Sequence, residues 1–331
     1  MTLLLVLGFA ALFSTTAGAA PTPPQWTSSR YMDPVSTDTL YNEGYNLGVA
    51  VANGSKPQDA VVVLDYGGQT EREGVWGAIS VHSGVFHPNA DLRFAVEAFG
   101  QGYYYGTDGN TTAQLTVALG TNNSATVSAA GADAWATTIN KINEWFAAGP
   151  SGFPYSEQVT AIGADDIEPG FCSSSTCVTS ARSWADAFGV TATTWYDNYG
   201  SCDACPPAGS GYGSWSQDDI YYVSWGADAA WPLPEIYQTN GVGAAQWERV
   251  SEWGLNNGRY GAMAFEGAMT QHQACAQVGC SGSALDNTPE QGWTQLWNAL
   301  NTRADYDGRV PPAGVNDTPT ASTDIAWTYG Q

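Results

Sequence analysis

Two rhythms of polar and apolar residues alternate along the chain. Short apolar runs, most of them closing on a polar residue or glycine, occur at 60–67 (AVVVLDYG), 115–120 (LTVALG), 159–164 (VTAIGA), 191–197 (TATTWYD), 219–226 (DIYYVSWG) and 260–267 (YGAMAFEG). Runs of this length bounded by turn residues mark buried strands. Between most of them lie stretches with the three- and four-residue spacing of one-sided helices, at 91–100, 132–148, 178–188, 244–255 and 289–302. Strand and helix in alternation predict a parallel sheet covered by helices. Fainter strand signals at 77–82 and 103–105 raise the strand count to that of a closed barrel. The expected fold is therefore α/β: a (β/α)8 TIM-barrel-like single domain over residues 35–331, with disulfide-stapled loops. No glycine-rich dinucleotide signature follows the first strand and no phosphate-binding loop pattern occurs, so a nucleotide-binding open sheet lacks its main support. The final TASTDIAWTYGQ reads as a packed or loose tail.

The first residues, MTLLLVLGFAALFSTTAGAA, join an apolar stretch to small residues and read as a secretion signal over 1–20, followed by a Pro-rich leader over 21–34. No Lys or Arg precedes the apolar stretch, which is too short for a comfortable membrane span. A secreted, extracellular protein is expected, with no membrane attachment once the signal is removed. All six cysteines fall in close pairs, Cys172 with Cys177, Cys202 with Cys205 and Cys275 with Cys280, within Gly-, Ser- and Pro-rich stretches. Local disulfides fit an oxidising compartment. The C-x-x-C spacing of Cys202 and Cys205 also occurs in zinc sites, but a structural zinc needs four ligands, and export disfavours free thiolates.

Charge narrows the partners. The net charge is −22, with only 10 Lys and Arg in total, so the clustered cations that nucleic acid demands are missing. The 14 Trp and 17 Tyr are many for a chain with 13% charged residues. Flat rings with one polar edge suit sugar faces, although burial in the core is the commoner fate of large aromatics. His82, His87 and His272 are too scattered for a zinc helix, and no nucleophile-elbow motif supports a serine esterase. No metal and no cofactor is expected, and a monomer is.

The acids concentrate where the predicted strands end. Asp65 closes the first, Asp165, Asp166 and Glu168 follow the third, Asp197 closes the next, Glu266 the last, and Asn122 and Asn123 follow LTVALG. The C-terminal ends of barrel strands form the catalytic face of such folds, so convergence there points to chemistry. Capping of the next helix or calcium binding would also place acids after VTAIGA. Trp195, Tyr196, Trp225 and Trp231 lie in or just past predicted strands and are candidates for sugar stacking. Glu235, in the Pro-fixed WPLPEIYQ, is a candidate substrate contact.

The Asp166-x-Glu168 pair after an apolar strand resembles the fourth-strand ending of barrel glycoside hydrolases, among them the family 25 muramidases and family 18 chitinases. VVVLDYG, with Asp65, is similar to the first strand of the muramidases. Over most of 65–273, TVALGTNN, GADDIEPGF, YDNYGSC, the YYVSWG to AAQW stretch and FEGAMTQ resemble a poorly characterised group of secreted bacterial glycoside-hydrolase-like barrels. The further aspartates of the chitinase pattern are absent from VTAIGA, so chitinase activity does not carry over. The resemblance implies hydrolysis of a polysaccharide or bacterial cell-wall glycan by two carboxyl groups, one protonated and one ionised. Glu168 is then the general acid, Asp166 its charged partner, Asp65 or Glu266 the second carboxylate, and Asp197 a hydroxyl ligand. The alternative is a barrel without activity that binds glycans or another surface, since fold alone does not dictate function.

Overall fold

The computed structural model describes residues 20–33, 36–123, 127–150, 152–209, 213–303 and 306–328. All but the last residue of the expected signal lies outside them. Eight strands run parallel around a barrel: β1 (Thr27–Tyr31), β2 (Asp59–Arg72), β5 (Gln114–Asn122), β6 (Val159–Asp166), β7 (Tyr196–Asn198), β8 (Ala230–Pro232), β9 (Gly267–Thr270) and β10 (Ala321–Trp327). Neighbours pair in that order except β8 and β9, and β10 pairs with β1. The seam between β8 and β9 is nearly closed. A bridge of Glu235 with Met269 spans it, with Ile236 N–H donating to Met269 O at 2.8 Å and Met269 N–H to Pro234 O at 2.9 Å.

The helices α1 (Thr37–Ala52), α2 (Asn89–Gly106), α3 (Ala129–Ala148), α4 (Ser175–Thr191), α5 (Gln217–Tyr221), α6 (Val242–Asn257), α7 (His272–Val278) and α8 (Pro289–Asn301) form the outer layer. Two cores result. A small one inside the barrel is built from Val61, Val63, Ala118, Ile162, Ala164, Leu233, Met269 and Ile325. A larger one between barrel and helices takes the fully buried Trp135, Trp184, Trp247 and Trp293. The indoles of Trp135 and Trp293 donate to the carbonyls of Leu119 and Pro319, both at 2.9 Å. Much of the aromatic content is therefore core.

Several expectations change. Residues 27–31, expected in the leader, are β1, and the expected tail is β10, so the barrel begins before residue 35. Both strands are rich in hydroxyl side chains, which pair inside the barrel: Ser29 Oγ lies 2.7 Å from Thr323 Oγ1 and accepts from Val63 N–H at 2.9 Å. Part of 77–82 is β3 (Val75–Ile79), which forms an antiparallel extension with β2 and β4 (Phe86–Pro88) rather than a barrel strand. Residues 103–105 continue α2. The run 219–226 is α5 followed by a wide helical turn, because Ser216 and Asp219 close a reciprocal capping box that nucleates a helix against the strand preference of the Tyr and Val side chains. The strand expected at 260–267 begins only at Gly267.

Two glycine seams are obligatory. β2 leaves the barrel after Asp65 through Gly67, which has φ +84° and whose Cβ would meet Ile79 O at 2.2 Å. Gly44 and Gly48 of α1 lie against α2, with a Cβ on Gly44 standing 2.0 Å from Phe99 O. Gly44→Ala should therefore lower stability by about 3 kcal/mol, as overpacking against backbone does. Gly170→Ala, in open space at an ordinary φ, should leave the urea midpoint near wild type, and equal midpoints for the two variants would contradict the seam.

Candidate active site

Inward and outward positions alternate along each strand. Val61 and Val63 line the barrel, and Asp65 continues their face; Ala118 leads to Asn122, Ile162 and Ala164 to Asp166, and Leu233 to Glu235. Asn122 stands opposite Asp166 in the register of β5 and β6. Asp65, Asn122, Asp166 and Glu235 thus meet at the C-terminal mouth, with Tyr31 and Tyr199 on the same face. Glu168 folds back toward them. One oxygen each of Asp166, Glu168 and Glu235 lies within 4.8 Å of the others.

Local hydrogen bonds hold Glu168 there. Asn123 clamps its backbone, accepting from Glu168 N–H at 3.1 Å and donating to Glu168 O at 3.2 Å. Asn198 Oδ1 accepts from Ile167 N–H at 3.2 Å and Gly200 N–H at 3.1 Å, tying the turn to the end of β7. Ser201 N–H donates to Glu168 Oε1 at 2.9 Å, and Tyr237 OH to Glu235 Oε1 at 2.7 Å. The acids do not cap α4, whose N-cap is Ser174, accepting from Cys177 N–H at 3.3 Å. Asn198, Ser201 and Tyr237 were not among the sequence candidates, and Asn123 was noted only as following the LTVALG strand.

Burial raises every acid of the mouth, and like charge adds to it at Asp166, Glu168 and Glu235. Burial pushes Asp65 up to about 6, against the pull of Gly67 N–H, which donates to it at 2.7 Å. Burial lifts Asp166 and Glu235 well above the ordinary carboxyl range, and the neighbouring Glu168 lifts both further. Glu168 is raised by burial too, but the Ser201 hydrogen bonds draw it back. Asp165 points outward from the barrel, wholly buried with neither oxygen hydrogen-bonded among the described residues, and burial and the charge of Asp65 lift it well above the ordinary carboxyl range.

Glu168 and Glu235 line a cavity of about 80 Å³, with Ser201, Cys202, Asp203 and Tyr237. Water occupies about 30 Å³ per molecule and small-molecule sites run to roughly 300–1,000 Å³, so the cavity holds a few waters or an ion rather than a sugar ring. Calcium takes oxygens at about 2.3–2.6 Å, which places ligand oxygens within about 5 Å of one another. Asp166, Glu168 and Glu235 have that span, so the acids, rather than the histidines, are the residues able to hold a cation. The cysteine pairs close as expected, with Cα separations of 5.8 Å (Cys172–Cys177), 5.3 Å (Cys202–Cys205) and 4.5 Å (Cys275–Cys280). The second of these braces the loop that carries Ser201.

Other candidates lie elsewhere. Glu266 stands three residues before Met269, the partner of Glu235, hence about 10 Å toward the N-terminal end at roughly 3.3 Å per residue. There it meets the buried Asp197. Trp231 pairs with Asp197 across β7 and β8 and packs edge-on against Trp225 at 5.1 Å, so these two rings belong to the far end of the barrel. Trp195 packs inside the barrel beside the Asp197–Glu266 pair. Tyr196 faces outward and is core, donating to Val223 O at 2.7 Å and lying edge-on to Trp184.

No known family model matches the sequence, and no curated protein matches it. Among solved structures the chain is similar to a dihydrodipicolinate synthase from Agrobacterium tumefaciens, with a TM-score of 0.38 and 11% identity over 74% of this chain and 63% of that one. The chain thus spans less than two thirds of that protein's length, and the barrel assignment rests on the strand pairing itself. The Asp197–Glu266 pair gives a test of the electrostatics. Burial raises both groups, and the charge of Glu266 raises Asp197 further, while Asp197 and Trp195 draw Glu266 partly back; the contribution of the pair to stability is therefore present at low pH and is lost as pH rises through the raised values. Asp197→Asn should gain on wild type by on the order of 1 kcal/mol or more at alkaline pH, with the gap narrowing on acidification. Melting curves of both proteins across that range check this.

Proposed function

We propose that the protein is a secreted glycoside hydrolase acting on a polysaccharide or cell-wall glycan, with its acid and base drawn from the carboxyl groups at the barrel mouth. The observation that carries this reading is that Asp166, Glu168 and Glu235 lie within 4.8 Å of one another and cannot all ionise together. A proton held on this group near neutral pH is what departure of a glycosidic oxygen requires. Glu168 and Glu235 border the cavity, whereas Asp166 does not. Glu168, the most exposed of the three, delivers the proton, Glu235 is the second carboxylate, and Asp166 sets the charge beneath them. Asp65 takes part only as a further negative neighbour. The three local disulfides are consistent with the extracellular location included in the proposal.

The small cavity favours a second reading, a barrel without activity that binds glycan at its surface. In the hydrolase reading a sugar ring reaches the acids only when the loop around Cys202–Cys205, or the segment after Tyr237, draws back. Release of reducing ends from peptidoglycan, chitin and plant polysaccharides, with and without a chelator, separates the two readings. Glu168→Gln should lower turnover by roughly 10²- to 10⁴-fold while the fold and glycan binding survive, as loss of a general acid does. Asp166→Asn should lower turnover and displace one limb of the pH profile, because it removes a charge felt by Glu168. No release from any of these glycans by the wild-type protein, or full activity in a folded Glu168→Gln variant, would remove these acids from a hydrolytic role.

A further inference from the structure

The helix that follows β1 is pinned sideways. Gly44 and Gly48 of α1 and Gly102 and Gly106 of α2 each lie against the backbone of the other helix, and a Cβ on Gly102 would stand 2.0 Å from Tyr41 O. With α1 held against α2, a recess of about 380 Å³ remains between α1 and the outward face of β1. That volume lies within the range of small-molecule sites. Arg30 from β1 and Lys56 from the α1–β2 loop line it, opposite Glu43; Leu47, Ala50 and Phe99 supply an apolar wall. In a chain with 10 Lys and Arg against 32 Asp and Glu, two cations facing one recess run against the overall balance.

The charged groups inside are incompletely matched. Arg30 Nε and Glu43 Oε2 approach to 3.4 Å, yet neither buried atom makes a hydrogen bond among the described residues. Lys56 Nζ donates to Trp26 O at 2.7 Å and lies 3.6 Å from the centre of the Trp26 ring, which leaves further ammonium hydrogens without an acceptor among the described residues. Two cations against one carboxylate leave an excess of one positive charge in the lining. Asp324 and Glu290, the next acids felt by Lys56, do not line the recess.

We propose that this recess binds a small amphiphilic monoanion, a carboxylate whose head lies between Arg30 and Lys56 and whose short apolar chain lies along Leu47, Ala50 and Phe99. The Arg30 guanidinium and the Lys56 ammonium both donate the charge-assisted hydrogen bonds that a carboxylate accepts. The single excess positive charge matches a monoanion better than a phosphate dianion, which Glu43 would repel. The site is on the outside of the barrel and is independent of the chemistry at the mouth.

Isothermal titration of the full protein with hexanoate, acetate, hexanamide and inorganic phosphate tests the proposal. Hexanoate should bind; acetate should bind more weakly for want of the apolar chain, and hexanamide and phosphate more weakly still. Lys56→Gln and Arg30→Gln should each weaken hexanoate at least tenfold, with melting temperatures in the absence of ligand showing that the variants are folded. Lys56 is half-buried in a loop, so Lys56→Gln carries the test if Arg30→Gln fails to fold. No binding of hexanoate, equal binding of hexanamide, tighter binding of phosphate, or wild-type affinity in folded Lys56→Gln would each overturn the proposal.

Discussion

Carboxyl groups pressed together out of water cannot all carry charge, and this constraint organises the barrel. At the mouth it acts on Asp166, Glu168 and Glu235 with Asp65 beside them; at the other end it acts on Asp197 and Glu266. A chain this acidic has few cations with which to neutralise interior acids, and none is seen at either place among the described residues. Burial instead shifts these groups toward their protonated forms. At the mouth, Ser201 N–H and Tyr237 OH each satisfy one oxygen, which leaves the others to a proton, a water or an ion.

The scaffold explains why the acids are held so closely. Glycine at position 200 is needed because a Cβ there would meet Ile167 O at 2.5 Å, so the chain after β7 can pass against the turn that carries Glu168. Asn123 and Asn198 then fix that turn from both sides, and the Cys202–Cys205 bridge closes the loop immediately beyond Ser201. The mouth is thus built from backbone donors and short side chains, which position a carboxyl with little rotamer freedom to lose.

Strands made of Val, Leu, Ile and Ala were legible in the sequence, because β2, β5 and β6 are apolar on both faces, as strands between a packed lumen and a helical layer must be. β1 and β10 were not, since their hydroxyl side chains satisfy one another inside the barrel and give no apolar run. That omission shifted the apparent first strand to β2, while the helix-forming capping box at Ser216 was overlooked because Tyr and Val dominate the segment after it. Asp166 and Glu168 were found because they directly follow a legible strand. Glu266 was misplaced for a definite reason: its strand begins after it rather than ending at it, which moves it from the mouth to the base. Glu235 was undervalued because β8 is short and continues through two prolines, so no strand pattern announced that its face is shared with Asp65.

The central claim is that the mouth acids hold a proton at neutral pH, and carbon-13 NMR of protein labelled at the Asp and Glu carboxyls tests it most directly. Titration of the wild type and of Glu168→Gln, Asp166→Asn and Glu235→Gln assigns the mouth signals by difference. The account predicts at least one mouth carboxyl still protonated at neutral pH, with the remaining mouth signals shifting their titration when any one of the three is neutralised. Three mouth carboxyls that titrate independently in the ordinary acidic range would contradict it.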